Sequence, residues 1–109
     1  MADLLSLCHI KDLTPGAAMT VTAGGRAYAV YNLGGVFFVT QNACTHGPGG
    51  LGDGHVEGEE IECDFHQGRF DIRSGRATAA PCTDPLMVWE VVVQEGRVCI
   101  DPAAGRIAT

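Results

Sequence analysis

Two short segments carry the residues able to do chemistry: Cys44-Thr-His46 and Cys63-Asp-Phe-His66, with sixteen residues between His46 and Cys63. Each offers one thiolate and one imidazole, so together they make a four-ligand Cys2His2 metal site. Two centres use such a set: a structural zinc ion, or a [2Fe–2S] cluster in which histidines replace cysteines on one iron. Zinc is a single point, usually held by arms that pair like with like, C-x2-4-C with H-x3-5-H. Mixed arms favour the cluster, because each can give its sulfur to one iron and its nitrogen to the next. Gly47, Gly49 and Gly50 follow the first arm and Gly68 the second. Residues without a Cβ let backbone N–H groups approach bridging sulfides, which a bare zinc does not require.

The elements that must position these arms read as short strands. Leu4–Cys8 alternates, and Thr14-Pro15-Gly16 marks a turn in the connector that follows. Met19–Thr22 and Arg26–Leu33 form a hairpin across Gly24-Gly25, and Gly34-Gly35 leads on to Val36–Thr40. Gln41 to Gly54 is an irregular first loop. Glu60–Cys63 enters the second loop, Arg69–Ile72 leaves it, and Ser74-Gly75 turns the chain back through Arg76–Thr78. Ala79 to Pro85 holds Pro81 and Pro85 and cannot be a central strand. Met87–Val93 reads as one β-prone strand, Arg97–Ile100 as the last, and the tail to Thr109 as frayed. The expectation is an all-β single domain over 1–109. An antiparallel sandwich or meander forms its base (1–42 and 86–109), and a small inserted subdomain (43–85) carries both arms.

Composition narrows the function. A chain of 109 residues with 46% apolar residues supports one modest core. The net charge of −6 argues against nucleic acid or an anionic membrane as partner. It suits docking to basic patches on redox partners as well as it suits plain solubility. Five cysteines make no paired framework; beyond the two ligands, Cys8, Cys82 and Cys99 read as small packing residues. No run approaches a membrane span. The start, Met1 to Cys8, lacks a basic region and carries Asp3, so it reads as a strand and not a lipoprotein signal. A cytoplasmic protein is expected. Tyr28 and Trp89 read as core, and His9 and His55 as surface histidines. Asp53, Glu57, Glu59, Glu60 and Glu62 read as a solvated hairpin or as a docking rim, and Gln67, directly after a ligand, is a candidate partner contact.

The pattern C-x-H followed by C-x-x-H resembles the Rieske motif. Gly68-Arg-Phe-Asp-Ile72 and the Pro81–Pro85 loop resemble that family too. The chain is most similar to the small Rieske ferredoxins that serve bacterial aromatic-ring dioxygenases. The resemblance implies a Rieske fold and one [2Fe–2S] cluster, with Cys44 and Cys63 on the inner iron and His46 and His66 on the outer, solvent-facing one. It implies a monomeric one-electron carrier, not an enzyme, between an NAD(P)H-dependent flavin reductase (the ferredoxin reductase) and the terminal oxygenase. Oxygenase subunits also need a mononuclear iron held by two histidines and a carboxylate; only His9 and His55 remain for that here. The alternative is a Rieske-like small subunit of a larger reductase, such as assimilatory nitrite reductase. Such subunits often lack a cluster, and the intact ligand set counts against that reading.

Departures from the respiratory and photosynthetic Rieske proteins carry information as well. Their extra cysteines, which form a disulfide across the cluster, correspond to Gly49 and Phe65. Their serine and tyrosine hydroxyls near the cluster sulfurs correspond to Gly68 and Phe70. Hydrogen bonds to sulfur stabilise the reduced, more negative cluster, so fewer of them predict the low end of the Rieske range, nearer about −150 mV than +300 mV. The resemblance also places the Pro81–Pro85 loop over the cluster, with Pro81 helping to exclude water.

Overall fold

Glycine pairs and β-prone runs make this chain a series of antiparallel strands joined by tight turns. The computed structural model describes residues 3–45, 49–63, 67–80 and 82–107. Strands β1 (Leu5–His9), β2 (Ala18–Ala23), β3 (Arg26–Leu33) and β4 (Val36–Gln41) precede the first arm. Strands β5 (His55–Glu57), β6 (Glu60–Glu62), β7 (Arg69–Asp71) and β8 (Ala77–Ala79) surround the second. After them come β9 (Met87–Trp89), β10 (Val92–Gln94), β11 (Arg97–Ile100) and β12 (Arg106–Ile107). They pair into three sheets, ordered β1-β11-β10, β12-β9-β4-β3-β2 and β5-β6-β7-β8.

The β2–β3 and β3–β4 hairpins close on Gly24-Gly25 and Gly34-Gly35, with Ala23 opposite Arg26 and Leu33 opposite Val36. All four glycines have φ between 58° and 98°. Two-residue hairpin turns that match the strand twist need that left-handed backbone at both positions, and glycine adopts it without strain.

β3 is the plank between two cores. Side chains alternate across a strand, so Tyr28 and Val30 face one way and Ala29 and Tyr31 the other. Tyr28 and Val30 pack with Leu7, Val39, Trp89, Val98 and Ile100. The Tyr28 and Trp89 rings meet edge-on, their centroids 5.0 Å apart, as expected of core aromatics. Ala29 and Tyr31 pack with Leu51, Ile61, Phe70, Ile72, Leu86 and with Cys44, Cys63 and Cys82. The second core therefore fastens the small sheet, and both thiol-bearing arms, to the long strand of the base.

Two expectations are corrected. Met87–Val93 is not one strand: β9 pairs with β4 and β12, whereas β10 pairs with β11 in another sheet. Val92 and Val93 lie at the solvent-exposed edge, 44% and 52% exposed, so β-propensity there did not signal burial. The tail is not frayed up to Ile107. Pro102–Ala104 makes a single 3-10 turn capped by Asp101, whose carboxylate accepts from the Ala103 N–H at 3.0 Å, and β12 then pairs with β9. A third element, β5, was too short to read from sequence; it makes a hairpin with β6 across Gly58, whose φ is 63°.

Candidate metal centre

Each arm is a tight loop closed at its base. β4 ends at Gln41, and the first arm returns through an isolated bridge between Ala43 and Gly50. The Cys44 N–H donates to the Gly49 carbonyl at 3.0 Å. β6 delivers Cys63, whose N–H donates to the Gly68 carbonyl at 2.8 Å just before β7 begins. The two loops so formed bring Cys44 and Cys63 into one core, 6% and 0% exposed. Neither is in a disulfide.

Polar side chains that sequence reasoning did not single out hold the first arm. The Gln41 amide donates to the Ala43 carbonyl at 2.7 Å and accepts from the Met87 N–H at 2.8 Å, tying the arm to β9. The Asn42 side-chain oxygen accepts from Gly52 N–H (2.8 Å) and Thr20 hydroxyl (3.1 Å), tying it to β2. Thr45, directly after Cys44, donates its hydroxyl to the Asp84 carbonyl at 2.8 Å, joining the arm to the loop after β8. None of these residues has a spacing that marks it out. Apart from Ala43, their partners lie 10 to 46 positions away, and only the fold brings those together.

Cys82 is a further finding. Read as packing, it is 5% exposed and lies in the same buried core as the other two thiols. Burial raises its pKa, and the adjacent Cys44 and Cys63 sulfurs raise it further, because a second negative charge there would be poorly solvated and repelled. A Cβ on Gly68 would overlap Cys82 Sγ and come within 3.2 Å of its Cβ and backbone N. So Gly68 lacks a side chain because the Cys82 thiol occupies that space. Gln67, just before it, is exposed and holds a left-handed φ of 59°.

His46, His66, Phe65 and Pro81 lie outside the described residues. Of the other two histidines, His55 is exposed on β5. His9 caps the Ile10–Asp12 turn, its Nδ1 accepting from the Lys11 N–H at 3.0 Å. The acidic run between the arms is largely neutralised by arginine. The Arg69 guanidinium lies 3.2, 3.5 and 3.1 Å from Glu57, Glu60 and Glu62, and Arg73 pairs with Glu59. Those carboxylates, Glu57 first, stabilise the charged guanidinium and raise its pKa.

The donor set suits an iron–sulfur cluster. Two buried cysteines stand on separate arms, and β-structure holds them in place without a disulfide. Soft thiolate ligands select such clusters or zinc, and the protein so defined is a small all-β metalloprotein of the iron–sulfur kind. A match to the Rieske [2Fe-2S] domain over residues 3–93 decides between them: the chain belongs to that family, whose cofactor is the cluster. It is 42% identical over 106 residues to the ferredoxin component of the p-cumate 2,3-dioxygenase system of Pseudomonas putida, covering 95% of this chain and 90% of that one. The Sphingomonas yanoikuyae B1 ferredoxin superposes with a TM-score of 0.87 at 44% identity, over 91% of this chain and 98% of the other. A chain from the complex of reduced oxygenase and oxidized ferredoxin in carbazole 1,9a-dioxygenase gives 0.84 at 40% identity, over 90% and 92%.

Proposed function

We propose that this chain is the ferredoxin component of an aromatic-ring dioxygenase system, a one-electron carrier between a flavin-dependent reductase and the terminal oxygenase. The carrying observation is the pair of buried cysteines, Cys44 and Cys63, brought into one core outside any disulfide, in a chain that matches such ferredoxins over nearly its whole length. Cys44, His46, Cys63 and His66 hold the cluster, which when bound supplies one reversible electron per turnover. Residues 43–85 form the cluster-binding part, and 1–42 with 86–109 the base that carries it.

The chain's own residues set the environment. Leu51, Ile61, Phe70, Ile72 and Leu86 are all buried around the cysteines and keep water from the sulfur side. Gln41, Asn42 and Thr45 hold the first arm rigid, so little reorganisation accompanies electron transfer. The chain is not itself the oxygenase: His9 is engaged as a cap, and it and exposed His55 belong to separate sheets. Among the described residues no helix is long and apolar enough to cross a membrane. Five cysteines with no disulfide suit a reducing cytoplasm, where the protein works as a monomer that docks transiently on each partner. Reading it as the small subunit of an assimilatory nitrite reductase requires a permanent complex instead.

The test is an EPR spectrum of the dithionite-reduced protein, with iron and sulfide analysis on the same sample, followed by reduction with NADH and a matching reductase and reoxidation by an oxygenase. A rhombic signal of low average g with two irons and two sulfides is expected. Zinc without sulfide, or a stable stoichiometric complex with a larger reductase, would overturn the reading.

A further inference from the structure

We propose that Cys82 is a positioning residue of the cluster: its thiol fills the space above Gly68 and donates a hydrogen bond to the Cys44 sulfur, stabilising the reduced state. The inference rests on the ligand assignment given above.

Two observations carry it. A Cβ at position 68 would overlap Cys82 Sγ, so this sulfur stands where a side chain at 68 would have to begin. And Cys82 shares one buried core with Cys44, the first of the two cysteine ligands, from which water is excluded. A serine at position 68 would bring a hydroxyl from the second arm. Here the donor comes from the loop after β8, which swings its thiol into the vacated space. Thr45 fixes that loop to the first arm through the Asp84 carbonyl, and the Cys82 N–H donates to the Ala79 carbonyl at 3.2 Å. Both bonds aim the thiol. The loss of the serine hydroxyl is thus partly offset, because hydrogen bonds to sulfur are among the factors that set the potential of such clusters. S–H is a weaker donor than O–H, so the offset is incomplete.

The same geometry changes how a serine at 68 must be tested. Gly68→Ser alone forces the Cys82 loop outward, removing one donor as it adds another. Only in a Cys82→Ala background does the new hydroxyl have room.

The experiment is a spectroelectrochemical titration of holo-protein in four forms: parent, Cys82→Ala, Cys82→Ser and Gly68→Ser/Cys82→Ala. Cys99→Ala, a buried thiol in β11 that bonds to the Arg97 carbonyl, serves as the remote control. Iron, sulfide and EPR on each sample confirm a Rieske cluster, so failure of the underlying reading shows as a missing cluster and not as a missing shift. Cys82→Ala should lower the midpoint, shifting the redox equilibrium by up to about tenfold, which is about 59 mV for one electron. Cys82→Ser and the double variant should sit at or above the parent, and Cys99→Ala should not move. A second measurement needs no variant that loses the cluster. The S–H stretching band that disappears in Cys82→Ser should move to lower frequency on reduction, as the acceptor sulfur becomes more negative. Equal midpoints for Cys82→Ala and Cys82→Ser, or an S–H band indifferent to reduction, would overturn the proposal.

Discussion

Replacing Gly52 with alanine should loosen the first arm without touching any of the four proposed ligands. The 3-10 turn Leu51–Asp53 lies so close to β2 that a Cβ on Gly52 would overlap Thr20 Oγ1. It would also stand 2.5 Å from Thr20 N and 2.6 Å from Met19 C. A hydroxyl could rotate aside, but the other two atoms are backbone of a strand paired with β3 along its whole length. The turn must retreat instead. Forcing a methyl group into a packed contact costs about 1–3 kcal/mol. Breaking the Gly52–Asn42 hydrogen bond adds about 0.5–1.5 kcal/mol. Leu51, fully buried now, would regain some water, and its complete burial is worth about 1.5–3 kcal/mol. These contributions overlap, so a net loss of about 2–4 kcal/mol is expected. Anaerobic guanidinium unfolding of the holo-protein, followed by far-UV circular dichroism and by bleaching of the visible absorbance, measures it. Bleaching should run ahead of unfolding in the variant, because the arm detaches first. A variant within about 0.5 kcal/mol of the parent, bleaching at the parent's rate, would show that the arm does not depend on this contact.

Other outcomes follow from the same structure. Thr45→Val removes the bond to the Asp84 carbonyl and should lower stability by about 0.5–1.5 kcal/mol, with faster cluster loss in a chelator chase; an unchanged rate would mean that the bond does not hold the two loops together. Tyr31 is buried with its hydroxyl 2.8 Å from Thr40 Oγ1, and burial raises its pKa above the ordinary value of 10.0. A group raised on folding contributes stability that is complete below its unfolded pKa and lost as pH climbs above it, so denaturant midpoints should fall above about pH 10. Tyr31→Phe should flatten that fall; an equally steep fall in the variant would exclude Tyr31 as its source. Ending the chain after Asp101 removes β12 and the Pro102 carbonyl that accepts from Trp89 Nε1 at 3.2 Å. The melting temperature should drop and Trp89 fluorescence shift toward that of an exposed indole, whereas a truly loose tail would change neither. Arg69→Gln leaves Glu57, Glu60 and Glu62 facing one another, so its urea midpoint should fall at low salt and recover at high salt. A deficit that ignores salt would mean the contacts matter for packing and not for charge.

By itself the sequence determined the family of cofactor and most of the strands. Cysteine and histidine at C-x-H and C-x-x-H spacing are a local pattern, and so are glycine pairs that turn a hairpin; both depend on residues near each other in the chain. Gly24-Gly25 and Gly34-Gly35 could be read because a left-handed turn leaves glycine almost no substitute. Long-range placement was not legible in this way. Met87–Val93 looked like one strand because β-propensity is a local property, whereas the break between Trp89 and Val92 arises because its halves pair with different sheets. Arg106–Ile107 became a strand because β9 offered an open edge. Gln41, Asn42 and Thr45 carry no pattern, and they count only because β2, β9 and the loop after β8 bring polar groups within reach. Cys82 shows the division most clearly. In sequence it is a small apolar residue in a proline-rich loop, yet tertiary structure sets its sulfur against Cys44 and into the space that Gly68 leaves open. The reason is steric: which of two distant side chains fills a shared volume is settled only when both loops are in place.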